Sequence, residues 1–177
     1  MAVLPIRTFG DPGLRQRARE VDKITDVHRR LVDDMLETMR AAPGVGLAAP
    51  QVGVLERIFV WEVEEEHGAV VNPVIVASSD EESVYEEGCL SVPGLYRDVS
   101  RPARIEVEGL DLDGHPLSKS LDGFMARVWQ HEIDHLDGVL FIDRLTSDER
   151  KEALATLRSQ ALGLTPPPAA PPVEERL

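Results

Sequence analysis

The stretch from Asp122 to Gly138, DGFMARVWQHEIDHLDG, decides how the rest of the chain has to fold. Within it His131, Glu132 and His135 spell H-E-x-x-H. On a helix, residues four apart lie one turn apart on the same face, so both imidazoles can face one metal ion. Glu132, next to the first histidine, can act as general base towards a water at that ion. Asp122 fits an N-cap and Gly138 a helix stop. Phe124, Val128, His131 and His135 fall on one face, and Met125, Trp129, Ile133 and Leu136 occupy much of the remainder. A helix apolar nearly all round is a buried one. The histidines are therefore expected deep against a sheet.

Two imidazoles do not complete a catalytic metal site, which usually takes three protein ligands and keeps one position open. An extended zinc-protease motif would need a histidine where Phe141 stands. Glu149 and Glu152 are candidates by chain order, although nothing around them resembles a ligand motif. Cys89, the single cysteine, lies in Glu87-Gly88-Cys89-Leu90-Ser91. The residues alone leave Cys89, Glu149 and Glu152 open.

Outward from this helix the pattern is mixed. Val27, Leu31, Met35 and Met39 recur every four residues, with Val32 and Leu36 widening the stripe. They predict a helix from Thr25 to Ala41, ended by Pro43 and Gly44. Strand-like runs follow at Arg57–Val63, Val70–Val76 and about Ser83–Glu86, with Glu64 to Gly68 as a hairpin loop. Arg104–Leu112 alternates, Asp113-Gly114 is a turn signal, and Pro116–Leu121 is the return strand. Thr146 to Glu149 resembles a capping box opening a last helix that runs to about Leu162. After Gly163 the chain is rich in proline and alanine, a composition that cannot build a packed element. The expectation is an α+β fold: antiparallel sheets packed around a buried central helix, with an N-terminal and a C-terminal helix. Residues 1–163 are read as one catalytic domain and 164–177 as a tail.

The chain has 177 residues, enough for one domain with a substantial core. Its formal charge of −13, from 32 acidic and 19 basic residues, argues against direct nucleic-acid binding through a broad basic face. No apolar run is long enough for a membrane span, and no basic start precedes an apolar segment at the N-terminus. With one cysteine, these features point to the cytoplasm. Ile58 to Tyr96 contains no lysine or arginine but many acids. Most are read as solvated. Glu87, beside the cysteine segment, is expected to be partly buried against an arginine such as Arg101. His28, His67 and His115 lack partner motifs and are read as surface residues. Asp134 is expected either to orient a ligand or to close a buried ion pair. Tyr96 and Arg97 are candidates to line a groove.

Gly44-Val45-Gly46-Leu47-Ala48-Ala49-Pro50-Gln51 supplies a third motif. The order G-x-G-hydrophobic-A-A-x-Q, then E-G-C-L-S, then H-E-x-D-H-L-x-G closely resembles the peptide deformylases. The resemblance runs from about Pro5 to about Leu145. It implies removal of the N-formyl group from the N-terminal formylmethionine of nascent chains, with release of formate. It implies metal ligation by Cys89, His131 and His135, with Glu132 as base. It assigns oxyanion stabilisation to the Gln51 amide and the Leu90 backbone N–H, and peptide contact to Gly46. Gly44, Val45, Glu87, Arg127 and Val128 are the expected substrate-binding residues. Val45, Val128 and the aliphatic stem of Arg127 are the candidates for the methionine pocket. The ion implied is Fe2+, with Zn2+, Ni2+ or Co2+ able to replace it in purified protein. Partners are formylmethionyl nascent peptides and, through Arg150, Lys151 and Arg158, a transient ribosome contact. The competing reading is a metallopeptidase of another H-E-x-x-H class, which would take its third ligand from beyond His135.

Overall fold

A computed structural model describes residues 2–164 of the chain. From residue 165 onward the expected tail lies outside the described residues. Three helices, α1 (Asp26–Ala41), α2 (Gly123–Leu136) and α3 (Ser147–Ala161), accompany seven strands. These are β1 (Gly46–Ala48), β2 (Ile58–Val63), β3 (Glu66–Ser78), β4 (Glu82–Glu87), β5 (Arg97–Pro102), β6 (Arg104–Leu110) and β7 (Pro116–Asp122). The strands form an antiparallel five-stranded sheet in the order β1-β2-β3-β6-β7 and a two-stranded β4-β5 sheet. No helix among the described residues is long and apolar enough to cross a membrane. The α+β architecture expected from the sequence is the one observed.

Successive residues of β2 point to opposite faces, and both faces are covered. Ile58 and Val60 pack with Val32, Met35 and Met39 of α1. Phe59 and Trp61 pack on the other side with Val128, Trp129 and Ile133 of α2. The Phe59 and Trp129 rings meet edge to face at 5.2 Å, a geometry that adds to the burial of their apolar area. A third cluster joins Val92, Leu95 and Val99 to Leu140, Phe141, Leu145 and the α3 residues Ala153 and Leu157. Cys89 belongs to this cluster. α2 is thus enclosed between the large sheet and the β4-β5 layer, and it is buried without a break from Ala126 to Leu136.

The end of α2 is fixed firmly. The Arg57 guanidinium donates to the Leu136 carbonyl (3.3 Å) and to Asp137 (2.7 Å). A cation there complements the helix dipole and satisfies a terminal carbonyl. Gly138 follows with φ 74°. A Cβ there would also lie 2.7 Å from the Arg15 carbonyl oxygen, so this turn admits only glycine.

Several expectations need correction. Val27 is exposed, so the buried face of α1 is set by Val32, Met35, Thr38 and Met39. The Glu64–Gly68 loop shrinks to a turn at Glu64 and Glu65, because β3 begins at Glu66. β3 is also longer than predicted and is interrupted at Asn72, whose φ is 51°. Asparagine tolerates that conformation, and its side chain is held by hydrogen bonds to the Val21 backbone. β1 and β5 were not anticipated. Asp122 stands at the N-cap of α2 but makes no side-chain capping bond. His28 is part-buried, accepting from the Thr25 N–H (2.9 Å) and lying 3.3 Å from Glu56. His67 and His115 are exposed as expected.

Candidate active site

α2 carries His131 and His135 one turn apart, with ring centroids separated by 5.0 Å. The turn after β4 brings Cys89 to them. Its Sγ lies 3.2 Å from His135 Nε2. One donor atom from each of Cys89, His131 and His135 lies within 4.8 Å of the other two, and all three residues are buried. The Ser91 backbone N–H (3.4 Å) and Gln51 Nε2 (3.7 Å) both point at the sulfur. One thiolate and two imidazoles converging in a dry site suit a single divalent transition-metal ion. Glu149 and Glu152 are exposed on α3, and the Glu149 carboxylate caps Thr146 (2.9 Å). The third donor is therefore not downstream of His135. Asp111, Asp113 and His115 also approach one another on the β6–β7 turn. There the Asp111 carboxylate accepts from the backbone N–H groups of Asp113 and His115, which closes the turn.

Glu132 lies beside the donor set, nearly inaccessible, with Oε2 lacking a partner among the described residues. Burial pushes its pKa up to about 7, against the pull of the His131 and Arg101 charges. A carboxyl poised there can both take and return a proton near neutrality. Its carboxylate packs against Gly46, and any side chain at 46 would collide with it. The β1 backbone and the base therefore share one small space.

Gln51 is placed by the 3-10 turn Ala49–Val52 that follows β1. Its Oε1 accepts from the Ala48 N–H (2.7 Å), which fixes the amide and directs Nε2 to Ser91 Oγ (3.1 Å) and the sulfur. The Leu90 N–H donates to no group among the described residues. Gly44 packs against the Leu90 side chain. β1 is an edge strand, paired to β2 on one side only.

Glu87 pairs with Arg101 as expected, but it is fully rather than partly buried. Its carboxylate accepts from Arg101 Nε (2.6 Å) and Nη2 (2.9 Å) and from Arg127 Nη1 (2.7 Å), and lies 3.0 Å from His131 Nδ1. Burial opposes its charge, yet the hydrogen bonds of Arg101 and His131 hold its pKa well below the usual carboxylate range. It meets His131 rather than the cleft. Burial also opposes charge on His131, but Cys89 and Glu87 raise its pKa well above the ordinary value. Burial, with the His131 and Arg101 charges, lowers that of His135. A divalent cation bound there would hold both imidazoles neutral. Asp134 closes the ion pair with Arg101 (2.8 Å) and also with Arg144 (2.5 Å).

A cleft of about 900 Å³ opens between β4 and the start of α2; Cys89, His131, His135 and Glu132 do not line it, and Val45 and Arg127 are its links towards them. Val45, Tyr85, Phe124, Met125 and Arg127 are among its walls. Arg127 lies one turn before His131, and its guanidinium is tied to Glu87, Ser83 and Val99. That leaves the stem for the cleft. Val128, expected in this wall, lies instead in the core under the large sheet. Tyr85 and Phe124, whose rings are 6.1 Å apart, take that place. Phe124 was legible by its spacing of seven before His131. Tyr85 was legible by sharing a strand face with Glu87. Tyr96 and Arg97 are not among the cleft walls.

Fold and site together define a metal-dependent amide hydrolase. Residues 3–151 match the family model for polypeptide deformylase. The peptide deformylase of Rhizobium meliloti is 50% identical over 155 residues, 85% of this chain and 89% of the relative. That of Azotobacter vinelandii is 44% identical over 163 residues, 90% and 97% of the two chains. Among solved structures, the Thermus thermophilus enzyme superposes with TM-score 0.86 at 48% identity, covering 92% of this chain and 97% of that one. The Ehrlichia chaffeensis enzyme in complex with actinonin gives 0.86 at 42% identity, covering 90% and 98%. The chain belongs to the polypeptide deformylase family. Its reaction is hydrolysis of the N-formyl group from the N-terminal formylmethionine of new polypeptides, which releases formate.

Proposed function

We propose that Cys89, His131 and His135 hold one divalent ion, Fe2+ in the cell, and that this chain deformylates nascent peptides in the cytoplasm with the residue roles that follow. The observation that carries the assignment is the unpartnered Glu132 Oε2 beside the three converging donors. Bound there, the ion supplies Lewis-acid activation of the water and of the formyl carbonyl. Glu132 takes a proton from the attacking water at Oε2. The water oxygen bonds to the formyl carbon, and the carbonyl oxygen gains charge. The Leu90 N–H, which is uncommitted among the described residues, and Gln51 Nε2, turning from Ser91 Oγ, donate to that oxygen. As the carbon–nitrogen bond breaks, Glu132 returns the proton to the departing amine. Formate and a free α-amino group result.

The peptide would lie along the free edge of β1, where Gly44, Val45 and Gly46 present backbone groups. The methionine side chain would enter the cleft beside Val45, Phe124, Tyr85 and the Arg127 stem. Zn2+, Ni2+ or Co2+ would also suit the donors and replace iron in purified protein. Residues 1–163 would act as one catalytic domain. On α3, Arg150, Lys151 and Arg158 are exposed and would make a transient ribosome contact. Reversing their charge should reduce co-sedimentation with ribosomes, and an unchanged pellet would remove that part of the reading.

The test of the chemistry is formate release from a formylmethionyl tripeptide by anaerobically purified, iron-loaded protein. Glu132→Ala should bind metal normally and lose about 10²–10⁴-fold in kcat. Cys89→Ser should lose the metal itself. A Cys89→Ser protein with full metal content and activity would refute the ligand assignment.

A further inference from the structure

A line of alternating charges runs from the surface to a proposed metal ligand. It begins at Arg144, half exposed just after the 3-10 turn Phe141–Asp143. Arg144 grips Asp134 with two bonds, Nη2 to Oδ1 (2.5 Å) and Nε to Oδ2 (3.1 Å). Asp134 Oδ2 also accepts from Arg101 Nη1 (2.8 Å). The same guanidinium donates through Nε and Nη2 to Glu87, whose carboxylate meets His131 Nδ1 at 3.0 Å. Side-chain exposure falls along the line from 48% at Arg144 to 9%, 3% and 0% at Asp134, Arg101 and Glu87.

We propose that Arg144 is a positioning residue for the metal centre, acting on His131 through Asp134, Arg101 and Glu87. The proposal rests on His131 being a ligand. Glu87 fixes the His131 ring and makes Nδ1 the protonated nitrogen, which leaves Nε2 to donate to the ion. Glu87 can do so only if its own orientation is fixed. Arg101 does this with a planar two-pronged grip, and that plane is in turn set by Asp134. An isolated surface ion pair would be worth little. This one differs because the carboxylate it holds is nearly buried and is shared with a buried guanidinium. A small cavity of about 190 Å³, lined by Ser78, Ser100, Arg101, Gln130, Asp134 and Arg144, opens beside the pair. Without Arg144, water from that cavity would reach Asp134 and loosen the Arg101 anchor. Residues 144 and 131 lie thirteen positions apart, yet one is predicted to govern the other.

The experiment uses full-length protein loaded with Co2+, which reports thiolate ligation by its charge-transfer absorption and release by loss of that band to a chelator. Arg144→Met should release cobalt about 3- to 10-fold faster than wild type. Its kcat should fall while KM stays, and Arg144→Lys should recover part of both effects. Arg40→Met, which removes a surface pair with Glu62 of similar geometry, should leave release unchanged. If Arg144→Met releases cobalt at the wild-type rate, the proposal is overturned. If wild type shows no thiolate band, or His131→Ala holds cobalt as tightly as wild type, the ligand assignment itself has failed.

Discussion

Glu132 shows how one residue's environment becomes measurable. Burial raises its pKa to about 7 from 4.5, so the folded protein without its ion prefers the protonated acid. The unfolded chain loses that proton near its ordinary pKa, and between the two values the folded state binds more protons than the unfolded one. Stability of the chelator-treated protein should therefore fall as pH rises from about 4.5 to 7. At 1.36 kcal/mol per unit, the loss is about 3 kcal/mol at most. Glu132→Gln cannot ionise, so its melting temperature relative to wild type should climb through this window and level off above it. A difference that is flat with pH would mean Glu132 is ionised throughout. At this scale the sequence was informative about chemistry and poor about partners. H-E-x-x-H names its residues outright, whereas Cys89 stands out from Glu149 and Glu152 only when the three motifs are read together. The fourfold use of Glu87 joins positions 14 to 44 residues apart, and no local spacing records such pairs.

Elements were legible where capping and periodicity agreed. α3 begins at a reciprocal box, with Thr146 N–H donating to Glu149 Oε2 and the Glu149 N–H returning to Thr146 Oγ1. Asp122 looks as good a cap on paper and has the extended backbone of an N-cap, yet its side chain makes no such bond while its backbone ends β7. Thr146→Ala should consequently cost about 1 kcal/mol in chemical denaturation, and Asp122→Ala much less. Equal losses would show that the sequence reading of Asp122 was the better one. The two strands that escaped notice did so for opposite reasons. β1 is only three residues long and all three are buried, so it has no alternation to detect. β5 does alternate, with Val99 and Arg101 inward. An arginine in the core-facing position disguised the pattern, and it is there because Glu87 and Asp134 need a countercharge.

Across the whole molecule, the donor set joins parts that the cores keep separate. Cys89 belongs to the cluster of β5 and α3, whereas α2 packs through Trp129 and Ile133 into the large sheet. An ion bound by Cys89 and both histidines therefore ties two hydrophobic units together, and its binding energy is stability of the fold. With free metal at about 1,000 times the dissociation constant, the gain is about 4 kcal/mol. For a chain of this size that amounts to about 8–16 °C in melting temperature. Two variants separate this staple from ordinary packing. Trp129→Ala should lower the melting temperature with or without metal, through a cavity costing about 3–5 kcal/mol, yet keep most of the metal-dependent rise. Cys89→Ser should melt near the wild-type value once both are stripped of metal, and gain almost nothing when metal is restored. If Cys89→Ser kept the full rise, the two histidines alone would carry the binding energy, and the two halves of the core would be held together by packing without help from the ion.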